Sequence, residues 1–281
     1  MKKKIDLARE YLVRYISLFQ CPVCHTPFVM GEQGLICIQN HQFDLSKKGT
    51  LYFLSHQIHT EYNKKMLMHR GEMITSGMYQ PVLDTIFSWT NKTGVVVDVG
   101  CGEGSFLQIL TGMGLSGPKI GFDLSKEGIY LASSNSKDAF WCAADLTNLP
   151  FTEASVDVLL NIFSPSHYQE FQRVLKREGS VIKVIPETNY LQELRQAFYP
   201  KNEKKQLYSN ERVVERFATE LTIVEDERLT YTFTVPEKNR LDLLEMSPLE
   251  WQVSREVKQA VQEQPLSEIT IDVRVLKGVK R

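Results

Sequence analysis

A β-branched run that ends in three alternate glycines constrains this chain more than any other segment. Val95-Val-Val-Asp98-Val99 suits a strand buried on both faces, and Gly100-Cys-Gly102-Glu103-Gly104 follows it directly. The next apolar positions, 106, 107 and 110, fall at helical spacing. Glycines at such a turn let the backbone bend sharply and a ligand approach within contact distance. The spacing is G-x-G-x-G, not the G-x-G-x-x-G of a nicotinamide site, and an acid precedes the first glycine by two residues.

Four further segments repeat the strand pattern. Lys119–Asp123 and Phe140–Asp145 each end in an acid, Val156–Phe163 follows, and Gly179–Pro186 comes after a helix containing Phe171, Val174 and Leu175. An acid about 20 residues beyond the glycines accepts hydrogen bonds from ribose hydroxyls, a role open to Asp123. Asp145 ends the next strand, where a carboxylate can accept from the exocyclic amino group of adenine. Alternating strands and helices with acids at successive strand ends resemble the class I S-adenosylmethionine-dependent methyltransferase fold. That is a Rossmann-like α/β architecture with a mostly parallel seven-stranded sheet. A doubly wound domain for some other nucleotide is the competing reading. Beyond Pro186 the pattern predicts helices at 189–198, 209–217 and 237–244, and strands at 221–235 and 269–276. The last of these suits the antiparallel edge strand of that fold.

A second constellation lies near the N-terminus. Cys21-Pro-Val-Cys24 and Cys37-Ile-Gln-Asn-His41 form a C-x2-C-x12-C-x3-H pattern. Two closely spaced pairs of soft ligands can close a tetrahedron around zinc, and four protein ligands make that zinc structural. Its binding free energy is then folding free energy for a segment too short to build its own core. His25 is the competing fourth ligand, but it adjoins Cys24 and would strain the turn. A redox Cys-x-x-Cys is disfavoured, because thioredoxin-like sites lack the second pair. Cys101 and Cys142 are spare, and five cysteines so placed do not read as a disulfide framework.

Composition sets the outer bounds. At 281 residues, 42% apolar and 24% charged, the chain is ordinary globular protein with room for two domains. Its net charge of −1 excludes a histone-like nucleic-acid binder, although residues 1–90 hold ten Lys/Arg against seven Asp/Glu. No apolar run reaches the roughly 18–20 residues of a membrane span, and Arg9, Glu10 and Arg14 interrupt any signal-peptide core. A cytoplasmic location without membrane contact is the expectation. The division expected is a zinc-binding domain over 1–50, a helical connector over 51–91 and a methyltransferase domain over 92–281.

Taken in order, several motifs resemble one family. These are Cys21-Pro-Val-Cys24-His25, Ile36-Cys37-Ile-Gln-Asn-His41-Gln-Phe-Asp44-Leu-Ser-Lys47, Gly77-Met-Tyr79-Gln-Pro81, the Asp98–Gly104 turn, Phe122-Asp-Leu-Ser-Lys126 and Met246-Ser-Pro-Leu249. They are similar to the bacterial 23S rRNA (guanine-N1)-methyltransferases of the RlmA family. Phe163-Ser-Pro165 and Ile182-Lys-Val-Ile-Pro186 lean toward its Gram-positive branch, which is associated with macrolide resistance, including tylosin. The resemblance implies methyl transfer from S-adenosylmethionine to guanine N1 in a hairpin loop of 23S rRNA domain II. It implies a homodimer whose zinc domains help form an RNA-binding cleft. It also implies cofactor contacts from Tyr79, Asp98, Gly100, Gly102, Glu103, Gly104, Asp123, Asp145, Asn161 and Tyr190, with zinc on Cys21, Cys24, Cys37 and His41.

The chain departs from the family pattern at three places, one of them around Glu61-Tyr62-Asn63, where the usual Gly-Asp signature before the connector helix is missing. Tyr190 stands where a histidine is common, and Asn161 where close relatives often have Asp. No motif places a catalytic residue. His167, Glu187 and Glu103 are candidates for a general base that takes the guanine N1 proton. The competing functions are a small-molecule, quinone-type methyltransferase with a zinc appendage, and a zinc-dependent RNA-binding protein without activity.

Overall fold

The computed structural model describes all residues except 1, 56–62, 201 and 203–207. Helix α1 (Lys4–Tyr15) buries Ala8 and Leu12 and leads into three short antiparallel strands, β1 (Phe28–Met30), β2 (Gly34–Cys37) and β3 (Gln42–Asp44). Strand β4 (Thr50–Tyr52) follows, then α2 (Lys64–Met73), a π turn at Ile74–Met78, and α3 (Gln80–Trp89). The region expected as a helical connector thus opens with a strand, and its residues 56–62 lie outside the described ones.

The β-branched runs then alternate with amphipathic helices: β5 (Val96–Val99), α4 (Ser105–Met113), β6 (Lys119–Asp123), α5 (Lys126–Asn135), β7 (Phe140–Ala143), β8 (Val156–Ile162), α6 (Tyr168–Val174) and β9 (Leu175–Pro186). Helices α7 (Gln192–Phe198) and α8 (Glu211–Glu220), strand β10 (Thr222–Thr234), helices α9 (Arg240–Glu245) and α10 (Arg255–Glu263), and strand β11 (Glu268–Val279) complete the chain. Ser125 and Ser254 cap α5 and α10 by accepting from the backbone amides of Gly128 and Val257.

The main sheet has the order β10-β11-β9-β8-β5-β6-β7-β4. It is parallel except for β11, which runs antiparallel to both its neighbours. Two details differ from the sequence expectation. The sheet has eight strands rather than seven, because β4 adds beside β7. The final strand is interior, with β10 outside it at the edge, since β11 is buried on both faces whereas β10 alternates toward solvent.

Alternation along β5 assigns its side chains to two cores. Val96 joins the layer of α3 and α4, with Leu83, Leu107 and Leu110. Val97 and Val99 face the opposite layer with Phe122 and Phe151, and that layer continues into Leu12 of α1 and Phe19, Phe28 and Leu35 of the cysteine-bearing segment. The expected boundary at 50/51 therefore falls inside β4, and residues 1–50 share a core with the main sheet. Backbone hydrogen bonds Gln20 N to Pro150 O (3.1 Å) and Thr152 N to Leu18 O (2.9 Å) stitch the two together. Among the described residues no helix is long and apolar enough to cross a membrane.

Candidate functional site

The chain direction of β5, β6, β7 and β8 brings their C-terminal ends to one side of the sheet, where β5 sits between strands that lead away in opposite directions. A crevice outside such strand ends is where open α/β sheets bind ligands. Here it is a cavity of about 340 Å3 lined by Val99, Gly100 and Gly102 from the turn, Phe122 to Ser125, Ala144, Leu146, the Phe163–Pro165 loop, and Leu67 and Arg70 of α2.

Of the ten residues expected to contact a cofactor, Gly100, Gly102 and Asp123 line this cavity. Asp123 braces the turn: Oδ2 accepts from Gly102 N at 2.9 Å and Oδ1 from Ser125 N at 2.7 Å. Gly104 has another duty. A Cβ there would lie 2.6 Å from the Trp141 ring, so this glycine lets α4 pack on β7. Asp98 is buried beneath the turn, and its Oδ2 has no hydrogen-bond partner among the described residues. Burial, helped by the negative charges of Glu103 and Asp123 and opposed by Arg70, pushes its carboxyl up to about 8. Glu103 is buried against Gly71 of α2.

Asp145 sits between the lining residues Ala144 and Leu146, and its Oδ1 accepts from Thr147 N and Oγ1 at 2.8 Å. Asn161 turns inward instead of lining the cavity. Its amide donates to Ser164 Oγ (2.5 Å) and Pro165 O (2.8 Å), while its Oδ1 accepts from Ser166 Oγ (2.7 Å) and Lys183 Nζ (2.5 Å). Lys183 is buried and also donates to Ser166 Oγ at 2.9 Å. Burial pushes its ammonium down to about 8. This network fixes the loop on which Phe163 takes a left-handed φ of 54°, and a strained non-glycine residue persists only where its surroundings hold it.

Phe163 forms a partition. Its other side lines a second cavity of about 600 Å3 with Arg70, Tyr190, Arg195, Tyr199, Tyr208, Leu249 and Trp251. Phe163 and Tyr190 stack at 5.5 Å and 27°, and Tyr79 packs on Phe163 at 5.4 Å. Arg70 and Phe163 line both cavities. Helix α2, which carries Arg70, is held to α9 by His69, whose ring nitrogens lie 2.7 Å from Asp242 and 3.2 Å from Glu245. The candidate bases stand elsewhere. His167 caps α6, Glu103 lies under the turn, and Glu187 lines a separate polar hollow with Arg228 and Arg274.

Sequence reasoning passed over Arg70, Lys183 and Arg195. Arg70 sits in a helix with no motif of its own. Lys183 interrupts an apolar strand (Val181-Ile-Lys-Val-Ile185), a signal of a buried charge that was there to be read.

The cysteine cluster is a second site. The ligand atoms of Cys21, Cys24, Cys37 and His41 all lie within 4.8 Å of one another. Cys24 Sγ and Cys37 Sγ are 3.5 Å apart, and His41 Nδ1 stands 3.5 Å from Cys21 Sγ and 3.4 Å from Cys37 Sγ. A tetrahedron with bonds of about 2.0–2.3 Å has edges of about 3.3–3.8 Å, so the donor set fits zinc. His25, beside Cys24 with a left-handed φ of 57°, lies near Gln20 outside the cluster. The cysteine-bearing segment is anchored to the loop after β7 as well: Asn148 Nδ2 donates to Pro22 O at 2.8 Å.

Comparison with known proteins matches the two segments that carry these sites. Residues 97–183 match the model of a methyltransferase domain, and residues 19–57 match the N-terminal zinc ribbon of RlmA. The chain is 38% identical, over its full length and that of the relative, to the "Putative 23S rRNA (guanine-N(1)-)-methyltransferase YxjB" of Bacillus subtilis (strain 168). It is 25% identical to the 23S rRNA (guanine(748)-N(1))-methyltransferase of Streptomyces fradiae, across 94% of this chain and 96% of that protein. Among solved structures, a chain of the "Complex between the Haloferax volcanii Trm112 methyltransferase activator and the putative methyltransferase" aligns with a TM-score of 0.50. It is 20% identical over 75% of this chain and 92% of that one, a likeness of fold. With a full-length relative at this identity and the ribbon in place, the chain belongs to the 23S rRNA (guanine-N1)-methyltransferase family.

Proposed function

We propose that this protein transfers a methyl group from S-adenosylmethionine to N1 of one guanine in 23S rRNA. The observation that carries this reading is the pair of cavities divided by Phe163 and bridged by Arg70. One is a largely apolar crevice at the strand ends with Arg70 and Asp123 on its lining, and the other is an aromatic chamber beside it. A transfer between two bound molecules requires this adjacency, because positioning supplies most of the rate. The relatives carry the name of this reaction.

S-adenosylmethionine supplies a methyl group on a positively charged sulfur, and its other end is an amino-acid zwitterion. The protein offers a matching pair: the buried, unpartnered Oδ2 of Asp98 for the α-ammonium and the Arg70 guanidinium for the α-carboxylate. Asp123 faces the ribose, and Asp145 with Ala144 and Leu146 receives adenine. Gly100 and Gly102 give the backbone close approach. Asn161, Glu103 and Tyr79 shape this site from behind, and Tyr190 faces the acceptor. Zinc in the ribbon is structural, since four protein ligands leave no open coordination position.

The finer reading is a hairpin loop of domain II as substrate. It is held in the cytoplasm by a homodimer whose ribbons contact the RNA, with altered macrolide susceptibility as the cellular result. An unpaired loop base needs little unstacking to enter the aromatic chamber. Purified protein with labelled cofactor should methylate 23S rRNA at a single guanine, read as a reverse-transcription stop. Transfer to small molecules but never to rRNA would overturn the assignment.

A further inference from the structure

Arg195 stands out among the residues of the aromatic chamber. It is 5% exposed, and its Nε has no hydrogen-bond partner among the described residues. One Nη donates to Thr188 O. The acids whose charge it feels are Glu193 and Asp272, and both are committed elsewhere. Glu193 accepts from Thr270 N and Oγ1. Asp272 takes a two-point bond from Arg228 at 2.9 and 2.8 Å, with Thr230 Oγ1 and Asn189 N added. Among the described residues no carboxylate lies within 4 Å of this guanidinium, and a buried charge without a partner is costly unless a ligand supplies the acceptors. The described lining of the chamber holds Arg70 and Arg195 and no carboxylate or imidazole.

Resting on the guanine-N1 reading above, we infer that Arg195 binds O6 and N7 of the target guanine and is a catalytic residue of the methyl transfer. The chemistry requires a group of this kind. The in-plane pair of guanine N1 is tied up in its N–H bond, so that proton must leave before or during attack. The proton passes to water, the freed pair forms the N–CH3 bond, and the electrons of the broken C–S bond stay on sulfur. The anion that develops on the base is shared between N1 and O6. A fixed guanidinium at O6 stabilises that charge and lowers the cost of proton loss at neutral pH. The same two-point contact sets specificity. Guanine offers two acceptors along this edge, whereas adenine places an amino donor beside its N7 against the guanidinium. Phe163 and Tyr190 supply the stacking wall.

The test uses the full-length protein and an RNA hairpin carrying the guanine mapped by primer extension. With 7-deazaguanine at the target, wild-type protein should bind about tenfold more weakly at pH 7, where N1 stays protonated in both RNAs. Undiminished binding would overturn the inference without any variant. Arg195→Met should keep its affinity for S-adenosylmethionine and lose about 10²-fold in kcat, and the alkaline rise of its rate should move to higher pH. Arg195→Lys should recover part of the rate. A raised KM with unchanged kcat, an unmoved pH profile and a weaker salt dependence would mean a phosphate contact, and would also overturn it. If wild-type protein methylates no guanine N1, the functional reading fails first. If it does and Arg195→Met matches it, only the role of Arg195 fails.

Discussion

The hydroxyls of Tyr79 and Tyr190, 111 residues apart in the chain, meet at 2.5 Å behind the wall that divides the two cavities. Both rings pack on Phe163, and burial raises each phenol above its usual range. Neither is placed to ionise, so the pair works as a fixed strut between the turn after α2 and the segment after β9. Tyr190→Phe strands the Tyr79 hydroxyl in a buried site at about 1–3 kcal/mol, whereas removing both hydroxyls costs less than the two single losses combined. Thermal melts of both single variants and the double variant check this. Additive losses would show that the hydroxyls do not depend on each other.

Two glycines of the turn, Gly102 and Gly104, should separate by experiment. Gly104 has φ 85°, and a methyl there meets the Trp141 ring and, at 2.9 Å, Ala132. Gly104→Ala should lower the melting temperature sharply or prevent folding. At Gly102 the nearest atom to an added methyl is Leu67 Cδ2, 3.5 Å away, on the lining of the cofactor cavity. Gly102→Ala should fold with a modest penalty for its φ of 55° and bind S-adenosylmethionine more weakly. A Gly104→Ala protein as stable as wild type, with only its cofactor affinity reduced, would contradict this division of labour.

That contrast shows where the sequence was informative. The strand runs, their terminal acids and the cysteine pairs carry local signals, so the order of elements in the sheet's centre and the metal cluster were legible. Gly104 looked like its neighbours because sequence cannot say which side chain faces a glycine; Trp141 comes 37 positions later. The place of Asn161 near the end of β8 points to the cofactor, but the pairing of β8 with β9 sets it opposite Lys183, and the two join a network beneath the loop. Arg195 was invisible because its significance lies in what Glu193 and Asp272 bond to, a matter of tertiary contacts. The place of β11 inside the sheet likewise depends on its partner β10, whose long alternating pattern suits an edge.

Asp98 couples stability to pH. Its carboxyl rises from 3.8 to about 8 on folding, so the native state holds a proton that the unfolded chain has released. Its contribution is complete below about pH 4 and is lost as pH rises through about 8. Asp123 and Glu103, also raised by burial, add to the same slope. Asp98→Asn should flatten the fall in urea midpoint between pH 5 and pH 8, and should weaken cofactor binding by removing the proposed partner of the α-ammonium. An unchanged slope in the variant would show that Asp98 is already ionised in the apo protein at pH 5.

Zinc loss should be felt beyond the ribbon, but unevenly. Phe19 packs on Phe140 and Phe151 at 5.6 and 5.7 Å, and Phe28 continues the same aromatic cluster through Phe43 and Phe53. The cluster therefore joins the metal site to the face of the main sheet. Cys24→Ser leaves three ligands and should release the ion, along with the folding free energy its binding supplies. Melting should then move to lower temperature as a single transition, since ribbon and sheet share one core. The cofactor cavity draws its polar groups from the turn, from Asp123 and from Arg70, none of which the ribbon holds. RNA affinity should accordingly fall more than affinity for S-adenosylmethionine when both are measured on the variant and on chelator-treated wild-type protein. An equal loss of the two would mean that zinc supports the whole fold, with no separate part in holding RNA.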